Sequence, residues 1–140
     1  MKLLLVAGLL SILSFTTHAQ DAEPATKKEQ VFTFVEQMPA FPGGEQAMYK
    51  YIKETLRYPE EAMDEGLEGR VYIKFIVSET GEIKDVMPAK PAEKSLQDEA
   101  IRIISSMPNW TPGKQNGRAV SVYFTLPISF KIEQEAEEKE

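Results

Sequence analysis

Residues 118–132 read RAVSVYFTLPISFKI. Val120, Val122, Phe124, Leu126, Ile128, Phe130 and Ile132 fall on one side at period two, and Ser121, Tyr123, Thr125, Pro127, Ser129 and Lys131 on the other. A helix repeats its apolar positions every three to four residues, so unbroken alternation of this length predicts a long half-buried strand. Pro127 then locates that strand. Proline has no N–H to give to a ladder, and within a sheet it marks an edge strand or a bulge. The last strand is therefore expected to carry unpaired backbone groups along at least part of one side. Pro127 blunts such an edge against aggregation by breaking the donor row, while an edge in use accepts an extended peptide as an extra strand. The two readings are compatible if a guest pairs upstream. Arg118, Val120, Ser121, Val122, Tyr123, Phe124 and Thr125 are then the candidate partner-binding residues.

The rest of the chain supplies what this strand packs on. Val71, Ile73, Phe75 and Val77 alternate with Tyr72, Lys74, Ile76 and Ser78, which predicts a second half-buried strand over 70–78. Glu79-Thr80-Gly81-Glu82 is a turn, and Ile83 to Val86 returns as the other arm of a hairpin. Ala47, Met48, Tyr51, Ile52 and Leu56 share one helical face from about Glu45, and Pro59 ends that helix. A short second helix starts at Pro59, with Glu60 and Glu61 at its positive end and Gly66 closing it. Leu96, Ala100, Ile103, Ile104 and Met107 form a third, with Ser95 as the expected N-cap, Asp98 completing a capping box and Pro108 as the stop. Pro112, Gly113 and Asn116-Gly117 make 109–117 loop and turn. Three strands and three helices in this order predict an α+β two-layer sandwich. Its three-stranded antiparallel or mixed sheet has the order 2-1-3, with the helices on one face.

Before residue 41 the composition changes. Lys2, an apolar run from Leu3 to Leu13 and the small residues of Thr17-His18-Ala19 have the layout of a secretory signal, with the cut expected between Ala19 and Gln20. The rival reading is a retained anchor, but polar residues break the run from Ser14, short of the about 20 apolar residues that a span needs. No stable membrane anchor is expected once the signal is cut. Residues 20–40 read as a flexible leader and extended arm, with a short strand or arm at Val31–Val35. The domain proper is expected at 41–132 and a disordered acidic tail at 133–140.

Composition removes several classes of function. The 140 residues contain no cysteine, so disulfides, a thiol nucleophile and a lipid-modified N-terminus are excluded. An exported chain without disulfides suits a bacterial periplasm. The net charge is −6, and −7 once Lys2 leaves with the signal, which disfavours nucleic acid and anionic membrane surfaces. His18, the only histidine, lies in the expected signal, so the mature chain lacks the usual general base and metal ligand, and no Ser-His-Asp arrangement can be built. Glu60, Glu61, Asp64 and Glu65 lack the alternate spacing and turn glycine of a calcium loop and read as a solvated face. Gly43-Gly44 has no phosphate-loop lysine after it and reads as entry-turn geometry. Trp110 reads as packing beneath its own loop rather than as an exposed binding aromatic. No enzyme activity, metal or cofactor is expected.

Several motifs together resemble a known family. Tyr58-Pro59 with Ala62 and Gly66, Glu68-Gly69-Arg70-Val71 with Phe75 and Val77, and Gly81 with Ile83 and Val86 form its first half. Asp98-Glu99-Ala100, Met107-Pro108-Asn109-Trp110-Thr111-Pro112-Gly113, and Gly117 with Val120 and Thr125-Leu126-Pro127-Ile128-Ser129-Phe130 form its second. Their order and spacing over 41–132 resemble the TonB C-terminal domain, and Phe41-Pro42-Gly43-Gly44 is similar to lead-ins common in Bacteroidota. The resemblance implies a periplasmic domain that binds outer-membrane transporters, adding a transporter peptide beside its last strand, here about Arg118 to Phe130. Full-length transducers in that family also carry an inner-membrane helix and a long proline-rich spacer. In this chain Pro24 is the leader's only proline, and residues 20–30 reach only about 40 Å fully extended. The alternative expectation is an envelope adaptor that pairs through the same edge with another copy, as a homodimer, or with another envelope protein, without energy transduction.

Overall fold

A computed structural model of the protein describes residues 29–133. The expected signal and its Ala19–Gln20 cut, residues 20–28 of the leader and residues 134–140 of the acidic tail lie outside the described residues. Among the described residues no helix is long and apolar enough to cross a membrane.

The elements in chain order are β1 (Val31–Phe32), α1 (Glu45–Thr55), α2 (Glu60–Asp64), β2 (Gly69–Val77), β3 (Ile83–Pro88), α3 (Lys94–Ser105), β4 (Gly113–Gln115) and β5 (Arg118–Phe130). The sheet has the order β1-β5-β2-β3, with β4 also paired to β5. It therefore contains five strands, which corrects the expectation of three. The three long strands keep the expected arrangement, with the first hairpin strand between its partner and the last strand. The additions are short. β1 pairs in parallel with Ser121 and Val122, and β4 pairs antiparallel with Arg118 to Val120. A two-residue strand has no alternation to read, and Lys114-Gln115 carry no apolar pattern. The legible signal was the turn. Asn116 and Gly117 both have positive φ, at 52° and 73°, which is the two-residue hairpin geometry that an Asn-Gly pair favours.

One face of the sheet meets all three helices. Val71, Ile73, Phe75 and Val77 from β2 and Leu126, Ile128 and Phe130 from β5 pack with Met48 of α1, Ala62 of α2 and Leu96, Ala100, Ile103 and Ile104 of α3. Burying such side chains contributes about 1.5–3 kcal/mol each, which makes this cluster the main source of stability. Trp110 is 3% exposed, as its packing role requires, and stands edge-on to Phe41, Phe75 and Phe124 at centroid distances of 5.9, 5.4 and 5.0 Å.

The start of α3 differs from expectation. Glu93 is the N-cap, without a side-chain cap bond, and Ser95 lies inside the helix. The first turn is instead tied by the Lys94–Asp98 ion pair, a spacing that suits helix neighbours four apart. Asp98 thus pairs with Lys94 rather than reaching back to a cap.

α1 and α3 are joined by Glu99. Its carboxylate accepts the Arg57 backbone N–H at 2.8 Å and Arg102 Nε and Nη2 at 2.8 and 2.6 Å, and Arg102 Nη2 also donates to the Thr55 carbonyl at 2.8 Å. Burial alone raises the Glu99 pKa, but the Arg102 and Arg57 hydrogen bonds outweigh it and the net direction is down. A carboxylate with a depressed folded pKa stabilises the fold fully above its unfolded pKa, about 4.3. That contribution fades as pH falls through the lower folded value. Glu99→Gln is expected to lower stability by about 1–3 kcal/mol at pH 7, with the difference from the parent shrinking below about pH 4. Urea unfolding at pH 7 and pH 3 reads both effects, and an equal gap at the two pH values would contradict the charge-based account.

Candidate functional site

The candidate site is the outer edge of β5, and its limits follow from the pairing. Arg118 and Val120 are taken up by β4. Ser121 pairs with Val31, and its hydroxyl hydrogen-bonds Glu29. Val122 is flanked on both sides, by Val77 of β2 and Phe32 of β1. From Tyr123 to Phe130, β5 has β2 along one side, and no strand among the described residues pairs with the other. Of the candidate residues read from the sequence, Tyr123, Phe124 and Thr125 thus lie on the open stretch. The stretch runs on through Leu126, Pro127, Ile128, Ser129 and Phe130, beyond the candidates named from the residues and within the Arg118 to Phe130 span that the resemblance implied.

Which backbone groups face outward is fixed by one hydrogen bond. The Ala89 N–H donates to the Tyr72 carbonyl at 2.8 Å, so Tyr72 turns its backbone groups toward β3 and away from β5. Tyr72 is opposite Pro127, which therefore forms a non-hydrogen-bonded pair with it. The β2–β5 register runs without a shift from Gly69↔Phe130 to Val77↔Val122. Alternation then sends the carbonyls of Tyr123, Thr125, Pro127 and Ser129, and the N–H groups of Tyr123, Thr125 and Ser129, away from β2. The Tyr123 N–H falls to β1, because Phe32 is the parallel partner of Val122 and Val122 gives its own groups to β2, so the open side offers the N–H groups of Thr125 and Ser129 and the four carbonyls. Pro127 is tolerated because the donor it lacks would have pointed to solvent.

Two clefts run between this edge and α1. The upper, about 400 Å³, is lined by Phe41, Met48, Phe124 and Leu126, and the lower, about 710 Å³, by Ile52, Leu56, Met63 and Ile128. Tyr49 and Pro127 border both. Tyr49 is 55% exposed and Met63 46%, an unusual apolar border for a solvated groove. The Tyr49 hydroxyl donates to Glu45 at 3.0 Å. That bond is the main cause of its raised pKa, and Arg70, on the neighbouring strand, pulls it the other way. At the lower end the Tyr58 hydroxyl donates to the Leu67 carbonyl, and its ring meets Phe130 edge-on at 5.8 Å. The bond ties the α1–α2 junction to the segment before β2, and the ring contact sets it against the end of β5.

Among the described residues no group of three or more His, Cys, Asp or Glu side chains is placed to hold a metal ion. What the edge offers chemically is main-chain pairing beside apolar pockets.

The chain matches the family model for the Gram-negative bacterial TonB protein C-terminal over residues 54–132, and it belongs to that family. Domains of this family are periplasmic, are associated with TonB-dependent transport and interact with envelope proteins such as outer-membrane transporters. Among solved structures, the chain is similar to two NMR solution structures of the Helicobacter pylori TonB C-terminal domain, in a longer and a shorter fragment. The longer is 21% identical, with a TM-score of 0.48, 64% of this chain and 81% of that one covered. The shorter is 22% identical, with a TM-score of 0.49, 64% of this chain and 95% of that one covered. No curated protein matches the chain.

Proposed function

We propose that this protein is a periplasmic, non-catalytic binding domain that captures an extended segment of an outer-membrane transporter, or of another envelope protein, as an added strand along Tyr123–Phe130. The observation that carries this reading is the row of outward main-chain groups, two N–H and four C=O, beside a groove walled by α1. Each hydrogen bond made there contributes about 0.5–1.5 kcal/mol net. Ordering the guest offsets part of that sum, so affinities on the order of micromolar are expected. β1 shows the edge chemistry in use within the chain, since it pairs with Ser121 and Val122 just upstream. It also limits the guest's footprint, because the upstream rungs are filled.

The test uses the protein from Gln20 onward, immobilised and exposed to detergent-solubilised envelopes of the native organism, with bound proteins identified by mass spectrometry. The parent is expected to retain a TonB-dependent transporter that Thr125→Pro loses. That substitution deletes an open donor and leaves the β2–β5 and β1–β5 bonds in place. Retention of no envelope protein, or the same set on both proteins with the variant folded, would sink the reading. A complex of the chain with itself as the sole species, lost in Thr125→Pro, would favour the adaptor reading.

A further inference from the structure

The helix-free face of the sheet is basic in a protein whose net charge is −6. Alternation places Arg70, Lys74 and Lys84 on it, since each is in register with Ser129, Thr125 or Ile76. None of the three is in a salt bridge among the described residues. A carboxylate on the same rim, Glu68, accepts the Ile132 backbone N–H at 2.7 Å. Two of these cations stand one strand behind the open edge, each opposite a small, exposed edge residue: Lys74 opposite Thr125 and Arg70 opposite Ser129. Lys74 already leans over β5, its ammonium 4.3 Å from the centre of the Tyr123 ring. Arg70 shares a surface cleft with Ser129, Phe130 and Lys131 at the end of the same strand.

We infer that the edge selects a guest strand that alternates, with carboxylate side chains on the helix-free face and apolar ones toward α1. This inference rests on the strand-addition reading and adds the chemistry of the guest. A guest strand would lie two strand spacings from β2, about 10 Å. A long cation on one side and a glutamate on the other span that gap over Thr125 or Ser129, where a bulky edge residue would block them. On the other face the guest's alternate side chains meet the clefts lined by Met48, Phe124, Ile52 and Met63. Arg70 and Lys74 are thus specificity-determining residues that act from a strand the guest never touches through its main chain. Charges so placed set which partner is accepted more than how tightly any partner binds.

The experiment uses three fluorescein-labelled nine-residue peptides with Val at alternate positions and Glu, Gln or Lys between them. Their binding to the chain from Gln20 onward is read by anisotropy at 20 mM and 500 mM NaCl. The Glu peptide is expected to bind at least tenfold more tightly than the Gln peptide at low salt, with the gap closing at high salt, and the Lys peptide more weakly than either. Arg70→Glu/Lys74→Glu should reverse the order of the Glu and Lys peptides. Arg70→Gln/Lys74→Gln, which disturbs the fold less, should level all three. Lys84→Glu, on the same face but beyond β2, should leave the order unchanged. Equal binding of the three peptides to the parent, or an order that survives both double variants, overturns the inference while leaving strand addition standing. Binding of none of them, with Thr125→Pro also indistinguishable from the parent in capture from envelopes, would overturn strand addition itself.

Discussion

Gly81→Ala is expected to lower the stability of the domain by about 3–5 kcal/mol, among the largest losses a single methyl group can cause here. Gly81 sits in the β2–β3 turn at φ +85°, a region that costs an L-residue roughly 1–2 kcal/mol. The larger part is steric. A Cβ built on Gly81 would lie 1.9 Å from the Trp110 carbonyl oxygen and 3.0 Å from its carbon, both main-chain atoms that cannot rotate away. The two segments are held this close because the Trp110 N–H donates to the Gly81 carbonyl at 2.8 Å. Relief would require the 109–113 loop to retreat, drawing the Trp110 ring from between Phe75 and Phe124. Gly66 provides the control. It also has positive φ, at 65°, yet nothing lies within 4 Å of its Cβ position, so Gly66→Ala should cost only about 1–2 kcal/mol. Chemical denaturation of both variants reads the difference. Equal losses would show that backbone conformation alone governs Gly81 and that the Trp110 loop yields freely.

The same pair of residues shows where sequence reading stops. Gly81 was legible as a turn glycine and Trp110 as a packed aromatic, each from local composition. That the turn and the loop share a hydrogen bond is a long-range fact with no sequence period. The long alternating runs of β2 and β5 and the helical stripes of α1 and α3 were legible because burial on one face leaves a repeat. Ser95 looked like a cap because residue type was the only available signal, whereas the helix begins one residue earlier, at Lys94, with Glu93 as its N-cap. For the site, Pro127 correctly pointed to an edge. The position of the free stretch was misjudged toward Arg118 because β1 and β4, two and three residues long, fill the upstream rungs. The direction in which each N–H points required the Ala89–Tyr72 bond, made by a neighbouring strand.

Adjacent prolines in β5 should have opposite consequences. Phe124 faces β2, opposite Phe75, so its N–H belongs to the internal ladder. Phe124→Pro removes that bond, leaves its β2 partner unsatisfied and deletes a ring 5.0 Å from Trp110. A loss of about 5 kcal/mol or more is expected, enough to unfold many domains of this size. Thr125, one residue on, is exposed and directs its N–H to the open side, as Pro127 would if it had one. Thr125→Pro should cost no more than about 1 kcal/mol in stability, since Pro127 shows that the strand accommodates the ring at this phase. Its effect should appear in binding. One donor is gone, a guest carbonyl is left without a partner at about 1–3 kcal/mol, and the ring fills the space of the incoming chain, so affinity for an added strand should fall at least tenfold. Pro127→Thr makes the reverse change, supplying a third open N–H between those of Thr125 and Ser129. It should strengthen guest binding several-fold and raise self-association at high protein concentration, because the donor row is then unbroken. Thermal melts of the three variants separate the phases before any partner is added. If Phe124→Pro and Thr125→Pro unfolded the domain equally, the alternation that places the outward donors would be wrong, and the open edge could not offer the main-chain groups on which strand capture depends.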